Sequence, residues 1–381
     1  QPKLGGAGDA VVKDTMVELI RMSSQLDETQ EAELDISPGA IFDDSLGADD
    51  GAGRPVNPLT GAPYAPNVVK RGDYERVIAE FWADGPRSET PPGHWNVLAN
   101  FVADRLSASA GKRVGGSGRI VDDLEWDVKV YIALNGAVHD AAIWAWGNKT
   151  FYDSSRPITL IRYMAGRGQS SDPSEPSYDP RGLPLVPDLV EVITSETTRP
   201  GGRHERLAGH EGEIAIRAWL GSPDDPIKQV GGVGWKLGVE WMPYQSKTFV
   251  TPPFPGYTSG HSTFSRAGAE VLAAITGSPF FPGGLGTFVA RQDAFLATER
   301  GPSRTVELQW ATYYDAADQA AISRRFGGIH PYYDDYPSRV AGSRIGKKAW
   351  ERALELYEPS KDPPCERRPA ACETSSGVPR P

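Results

Sequence analysis

Residues 124–149 read LEWDVKVYIALNGAVHDAAIWAWGNK, and apolar side chains recur in this stretch every three or four residues for six turns. The recurring residues are Leu124, Val128, Tyr131, Leu134, Val138, Ala141 and Ala145. This spacing places apolar side chains on one helix face, so it predicts a long buried helix. Lys149 stands at the end of the stripe, and we expect its backbone to be held rigidly.

The segments on either side of this helix also favour helical structure. Shorter helical patterns cover residues 10–33, 74–81, 95–106, 207–220, 261–276, 306–325 and 338–357. Gly277 and Pro279 are expected to stop the helix over 261–276. Alternating strand patterns are scarce. The sequence therefore predicts a mostly α protein, a helical bundle with long loops.

Three regions follow from changes in composition along the chain. Residues 1–72 are interpreted as an N-terminal helix and an extended arm, because 34–72 are rich in Gly, Pro, Asp and Asn. Residues 73–358 form the predicted helical catalytic domain, in which the Pro-, Ser- and Gly-rich segment 168–203 is expected to cross the surface. Residues 359–381 are a Pro-rich tail.

Composition excludes several classes of protein. The 381 residues hold 50 acidic and 40 basic side chains, a net charge of -10, which disfavours nucleic acid as a partner. The sequence contains no run of eighteen apolar residues, so it predicts no membrane-spanning helix. The two cysteines, Cys365 and Cys372, are too few for a structural zinc site, and a local disulfide between them would indicate an oxidising compartment.

The expected location is outside the cytoplasm, secreted or periplasmic. This expectation rests on the predicted disulfide and on a chain that begins at Gln1 rather than Met, although no signal peptide is visible.

Two histidines stand in unusual contexts. In PPFPGYTSGHS, residues 252–262, Thr258 and Ser259 are suited to cap a helix that begins at once, next to Gly260 and His261. A helix N-terminus has unpaired N–H groups and attracts anions. In SRRFGGIH, residues 323–330, a helix is expected to end at two glycines and to deliver His330, with Asp334 placed to hold one ring nitrogen. Either segment alone is also compatible with an ordinary helix terminus.

A third polar segment contains Lys149 and Arg156, seven residues apart, which is two turns of a helix. By itself such a pair is usually a solvated helix face. Together, the three segments supply cations, a serine hydroxyl, a backbone N–H and two histidines, a combination suited to one tetrahedral or trigonal-bipyramidal oxyanion.

Lys-x6-Arg-Pro, Ser-Gly-His and Ser-Arg-x5-His-x3-Asp, in this order, resemble the signature of the vanadium-dependent haloperoxidases and of the related type-2 phosphatidic acid phosphatases and bacterial acid phosphatases. The motifs span Lys149 to Asp334, about half of the chain. One departure is Thr258, where the family usually has proline. The resemblance implies a pair of four-helix bundles and orthovanadate as the cofactor.

The resemblance also implies roles by position. His330 would be the metal ligand in a haloperoxidase, or the phosphorylated nucleophile in a phosphatase. His261 would be an acid/base group, and Asp334 would support His330. The oxyanion would be held by Lys149, Arg156, Ser259, Gly260 and Arg324.

Two enzyme activities remain open, together with a catalytically silent helical binding protein. The favoured one is a haloperoxidase that uses hydrogen peroxide to oxidise bromide, and chloride as well, and so halogenates a small organic substrate. Trp146 and Phe254 match aromatics that line the halide side of chloride-oxidising members. The alternative is an acid phosphatase acting through a phosphohistidine. A homo-oligomer is allowed, and Asp84 or Glu89 is expected to pair with a site arginine.

Overall fold

The computed structural model describes residues 1–41, 46, 53–83, 85, 89–109 and 111–357. The prediction of a mostly α, helical-bundle protein is confirmed. The helices of the described residues are α1 (Asp9–Gln25), α2 (Arg71–Phe81), α3 (Pro91–Ser109), α4 (Asp123–Tyr152), α5 (Pro157–Arg167), α6 (Gly260–Thr276), α7 (Tyr313–Phe326) and α8 (Tyr332–Tyr357).

Helix α6 lies at the centre of a four-helix bundle and packs against α4, α7 and α8. Two glycines of α8 allow the close approach of α6 and α8. A Cβ atom at Gly342 would lie 2.5 Å from the Thr263 carbonyl oxygen, and one at Gly346 would lie 2.5 Å from that of Ala267. Helices α1, α2 and α3 pack against the four-helix bundle, whereas α5 packs against residues 238–240 and α1.

The helix predicted over 124–149 is confirmed, but its buried face is displaced at the N-terminal end. Leu124 and Val128 are 74% and 50% exposed, whereas Trp126 and Val130 are buried. From Leu134 onward the predicted apolar residues Val138, Ala141 and Ala145 are buried. Large Trp126 determines which side of the first two turns enters the core, because burial of a large aromatic side chain dominates local packing.

The described residues also form three small antiparallel sheets, which the sequence patterns did not predict. Their strands are β1 (Glu33–Asp35) with β2 (Val68–Lys70), β3 (Val190–Val192) with β4 (Ile214–Trp219) and β5 (Val233–Leu237), and β6 (Gly286–Ala290) with β7 (Val306–Trp310). Strands replace helix in two of the predicted segments, and the helix expected over 10–33 ends at Gln25. Residues 214–219 form a strand, and the helix expected over 306–325 begins only at Tyr313.

Both errors have a physical reason. In β7, Val306, Leu308 and Trp310 alternate with polar residues, which is the two-residue period of a half-buried strand. In β4 almost every residue is buried, and a short continuous apolar run does not distinguish a strand from a helix.

The segment 168–203 does more than cross the surface. Its residues Leu183, Leu189 and Val190 are buried in a second apolar cluster with α1 and β4. Hydrophobic burial therefore holds this glycine- and proline-rich stretch in place.

Among the residues that the structure describes, none of the helices combines the length and apolar character needed to cross a membrane. The tail, with Cys365 and Cys372, lies outside the described residues, so the disulfide stays a prediction. Asp84 also lies outside them.

Candidate active site

Four helix ends deliver the predicted oxyanion residues to one place. Lys149 lies in the last turn of α4, and Arg156 is the N-cap of α5, which Pro157 begins. Ser259 is the N-cap of α6, and Arg324 lies in the last turn of α7. The turn after α7 then brings His330 to the start of α8.

Gly328 makes this turn possible. Its φ is +73°, and a Cβ atom there would lie 2.9 Å from the Trp241 ring, so both conformation and space favour glycine. The chain reverses within a few residues, and the buried His330 ring reaches Asp334 one helical turn later.

The hydrogen bonds of His330 define its tautomer. Nε2 lies 3.1 Å from Nη1 of Arg156, which can only donate, so Nε2 is an acceptor. Nδ1 therefore carries the proton and donates it to Asp334 Oδ2 at 2.9 Å. Burial and the positive charge of Arg156 and Lys149 hold the pKa of His330 well below its usual range. The ring is thus neutral, with a lone pair on Nε2, as a metal ligand or a nucleophile requires.

Lys149 and Arg156 are anchored by backbone carbonyls of the loop before α6. Nζ of Lys149 donates to the oxygens of Pro255 at 3.0 Å and Gly256 at 2.8 Å, and Nε of Arg156 donates to Phe254 at 3.0 Å. An ammonium has three N–H groups, so a protonated Lys149 keeps one for an anion. Lys149 is 2% exposed, and burial, reinforced by Arg156, lowers its pKa to about 7.

The N-terminus of α6 offers further donors. The Ser259 hydroxyl accepts from Ser262 N at 3.3 Å and from Ser262 Oγ at 2.9 Å, which leaves its own hydrogen to donate. Gly260 is the first residue of α6, so its N–H has no partner within the helix. A Cβ atom at Gly260 would lie 3.3 Å from the Trp146 ring, a tight contact that glycine avoids.

His261 and Arg324 both contact the C-terminal end of α2. Nε2 of His261 lies 2.7 Å from the Trp82 carbonyl oxygen, so Nε2 carries the proton and Nδ1 of the neutral ring keeps a lone pair. Nη2 of Arg324 donates to Ala79 O at 2.6 Å. Burial and the charge of Arg324 lower the pKa of His261 well below its usual range.

Two partly exposed aromatic rings stand beside Lys149. Trp146 and Phe254 are 42% and 36% exposed, and their ring centroids are 5.5 Å apart. Nζ of Lys149 lies 5.9 Å from the Trp146 centroid and 5.4 Å from that of Phe254. The predicted halide-side aromatics thus form one wall, called here the aromatic wall.

Some contacts of the site had no signal in the sequence. Backbone carbonyl oxygens accept the hydrogen bonds from Lys149, Arg156, Arg324 and His261. The side chains of the accepting residues take no part in these bonds. Ser338 accepts from Ser259 N at 3.0 Å, and only its position one turn after Asp334 could have suggested it. Glu89 lies 3.5 Å from His94 Nδ1, so the described contacts pair it with a histidine.

The charges at the site fit an oxyanion. Lys149, Arg156 and Arg324 are all buried, and burial also lowers the pKa of Arg156 to about 10. Among the described residues, Asp334 is a carboxylate that faces Lys149 and Arg156, and burial raises its own pKa to about 7. Buried cations are costly unless compensated. An anion with several oxygens, such as vanadate or phosphate, would supply that compensation among these donors.

The chain matches the family model described as VCPO second helical-bundle domain over residues 129–177 and 196–359, more than half of its length. No curated protein sequence matches it. Among solved structures, an apo-type bacterial vanadium-dependent chloroperoxidase is similar with a TM-score of 0.54 and 15% identity over 93% of this chain and 51% of that one. This likeness supports the fold.

Two further structures match more weakly. A holo-type bacterial vanadium-dependent chloroperoxidase has a TM-score of 0.49 and 18% identity, and a bacterial vanadium-dependent iodoperoxidase has 0.38 and 21%. Each match covers 74% of this chain and 44% of that one. The chain thus spans about half the length of the solved structures that it resembles. On the strength of the family match, the chain belongs to the vanadium haloperoxidase family.

Proposed function

We propose that the protein is a vanadate-dependent haloperoxidase that uses hydrogen peroxide to oxidise bromide, and chloride as well, to a hypohalous acid equivalent that halogenates organic substrates. The observation that carries this proposal is the convergence of three buried cations and two neutral histidines beside the aromatic wall. The cations suit an oxyanion, and the aromatic wall suits a halide.

The residues that would hold vanadate follow from their donors and lone pairs. His330 would ligate through Nε2, because Asp334 takes the proton of Nδ1. Lys149, Arg156, Ser259, Gly260 and Arg324 would donate to the oxygens. When bound, vanadate supplies Lewis-acid activation of peroxide without a change in its own oxidation state.

Lys149 and His261 are suited to transfer protons, and Lys149 is also suited to stabilise negative charge. A protonated Lys149 would hydrogen-bond the peroxide oxygens and stabilise the negative charge that develops when halide attacks. Its lowered pKa makes it a ready proton donor near neutral pH. His261 can accept a proton at Nδ1, because Nε2 is occupied by the Trp82 carbonyl.

The aromatic wall favours halide oxidation over phosphate-ester hydrolysis. Ring edges carry partial positive charge and can face an anion, while the rings exclude water and so leave the charge of Lys149 less screened. The same oxyanion shell could nonetheless support phosphoryl transfer through His330, because vanadate resembles that transition state.

A paired assay on cofactor-free protein distinguishes these activities. One sample receives vanadate, hydrogen peroxide and bromide with a halogen-trapping dye, and the other receives a chromogenic phosphate ester. We expect rapid peroxide-dependent dye bromination and at most slow ester hydrolysis. Hydrolysis without bromination would replace the haloperoxidase proposal with the phosphatase one.

A substitution in the aromatic wall tests halide preference. Phe254→His introduces a polar ring beside Lys149, so we expect chloride turnover to fall more than bromide turnover. Both halides are measured for wild type and variant between pH 4 and 7. Equal losses for the two halides, or no chloride oxidation by the wild type, would show that Phe254 does not set the preference.

A further inference from the structure

Helix α4 carries apolar side chains on its solvent-exposed side as well as on its core side. Val128 and Ile132 are 50% and 46% exposed, and Ile143 and Phe151 are 61% and 81% exposed. A helix that is apolar on all sides is normally surrounded by protein. The core side packs against α3, α6 and α8, whereas the described residues leave the opposite side uncovered.

Two isoleucines and two glycines form one row on this exposed side. Ile132, Gly136, Ile143 and Gly147 are separated by four, seven and four residues, a spacing that keeps them on one helix face. Apart from adjoining residues of α4, no described atom would lie within 4 Å of a Cβ atom at either glycine. We call this row the outer stripe. Its isoleucines project outward, and its glycines leave depressions between them.

The outer stripe is complementary to its own reversed copy. Ile132 and Gly147 are equally distant in sequence from the midpoint of residues 139–140, and so are Gly136 and Ile143. A second α4, antiparallel and related by a two-fold axis at this midpoint, would place each isoleucine opposite a glycine. Side chains of one helix would then fill depressions of the other, as in packed helix pairs.

The charges of the outer stripe also allow a second copy to approach. The chain has a net charge of -10, so two copies repel each other wherever their contact faces are acidic. Within residues 128–151, the ionisable groups on the exposed side are Lys129, His139 and Asp140. Lys129 pairs with Glu125 at 2.5 Å, and Nδ1 of His139 lies 3.4 Å from Asp140. The outer stripe is therefore nearly balanced in charge, and repulsion is small there.

We infer that the outer stripe binds the outer stripe of a second copy of this chain, with the two α4 helices antiparallel. Another possible occupant is the tail, residues 358–381, because Tyr357 at the end of α8 donates to the Lys129 carbonyl on α4. The tail sequence contains no aromatic residue, and Val378 is its one large aliphatic residue. It therefore matches two depressions poorly. The dimer depends neither on vanadate nor on the proposed function.

Sedimentation equilibrium of the cofactor-free full chain tests this association. With rising concentration, we expect the molar mass to approach twice the chain mass of 41.2 kDa. Ile143→Asp should weaken association by about 100-fold or more, because the two-fold axis brings two carboxylates into an apolar contact. The control Ile227→Asp changes an isoleucine outside α4 that is 76% exposed, and it should leave association unchanged.

A second variant separates loss of association from loss of folding. Gly136→Leu fills a depression that the partner isoleucine needs, but leucine has room in the single chain and is a better helix former than glycine. We expect dimerisation to weaken by about tenfold or more, while the melting temperature of the dilute monomer stays the same or rises. Unchanged dimerisation in both Ile143→Asp and Gly136→Leu would overturn the inference.

Cysteine pairs test the antiparallel arrangement. With Cys365 and Cys372 replaced by serine, Gly136→Cys/Ile143→Cys should give disulfide-linked dimers under mild oxidation. Within one helix these positions are about 10 Å apart, too far to bond to each other. The control pair Ile132→Cys/Gly136→Cys has no opposed cysteines and should stay unlinked.

Two results would overturn the inference outright. One is a full chain that stays monomeric at all concentrations, whether the outer stripe is bare or covered by residues 358–381. The other is a dimer that only the control cysteine pair links. If the dimer forms as described but vanadate and peroxide give no bromination, the proposed function fails and the outer-stripe assignment stands.

Discussion

His330 and His261 differ in which ring nitrogen carries the proton. Arg156 requires an acceptor at Nε2 of His330, and the Trp82 carbonyl requires a donor at Nε2 of His261. Asp334 accepts the hydrogen bond from Nδ1 of His330, so the proton of this ring stays on Nδ1. His330 is thus prepared to ligate through Nε2, and His261 is prepared to accept a proton at Nδ1.

This difference predicts opposite results for two alanine variants. His330→Ala should abolish tight vanadate binding, because only hydrogen bonds and charges remain to hold the anion. His261→Ala should retain vanadate within a few-fold while losing much of the turnover, about 100-fold or more for a general acid/base group. Calorimetry of vanadate binding to both variants measures this. Unchanged affinity in His330→Ala would show that it is not the ligand.

The buried ammonium of Lys149 predicts how stability depends on pH. Its folded pKa of about 7 lies below the unfolded value of about 10.4, so between these values the unfolded chain binds the additional proton. The free energy of unfolding of the cofactor-free protein should therefore rise with pH from 7 to about 10. Lys149→Met should lose this rise, as measured by urea unfolding at several pH values.

The control for this experiment is Lys348→Met, which changes an exposed lysine and should keep the rise. Asp334, whose pKa burial raises to about 7, affects stability mainly below pH 7, but Lys149 lowers that pKa, so removal of Lys149 extends the effect to higher pH and adds to the loss of the rise. Parallel curves for wild type and Lys149→Met would contradict the buried-charge interpretation.

At the scale of the element, α4 shows how a long helix positions a side chain of the candidate active site. Its core face runs from Trp126 to Lys149, and α6 and α8 pack against it. Packing along this length fixes the end of the helix, so Lys149 is held where the loop carbonyls of Pro255 and Gly256 can accept from it.

At the start of α4, Trp126 is buried and Leu124 is exposed, so we expect substitutions of these two residues to lower the free energy of unfolding by different amounts. Trp126→Ala should lower the free energy of unfolding by about 3–5 kcal/mol, because a fully buried aromatic leaves a cavity. Leu124→Ala should change it by less than about 0.5 kcal/mol, because Leu124 is exposed. Urea denaturation of both variants measures the difference. Similar losses would mean that Leu124 also belongs to the core.

At the scale of the whole molecule, the fold brings together positive charges from α4, α5 and α7. Each of the three cations is anchored to a carbonyl of another segment. Arg156 lowers the pKa of Lys149, so these two buried cations repel each other, and a bound oxyanion would relieve that repulsion. Anion binding is thus expected to stabilise the whole bundle.

Phosphate should compete with vanadate for this site and should raise the melting temperature of the cofactor-free protein. At a concentration 100 times its dissociation constant, it would add about 2.7 kcal/mol. Arg324→Gln should lose most of the effect, while its neighbour Arg325→Gln should keep it, because Arg325 pairs with Glu18. Reconstitution by vanadate that is indifferent to phosphate would place the anion elsewhere.

The sequence by itself determined the mostly α class and the long helix, because helix periodicity is a local feature of the chain, and its three motifs predicted the oxyanion residues. Only the tertiary structure decided which face of α4 is buried, that β4 and β7 are strands, and which carbonyls anchor the cations. Burial depends on neighbours distant in sequence, and a carbonyl acceptor leaves no trace in side-chain identity.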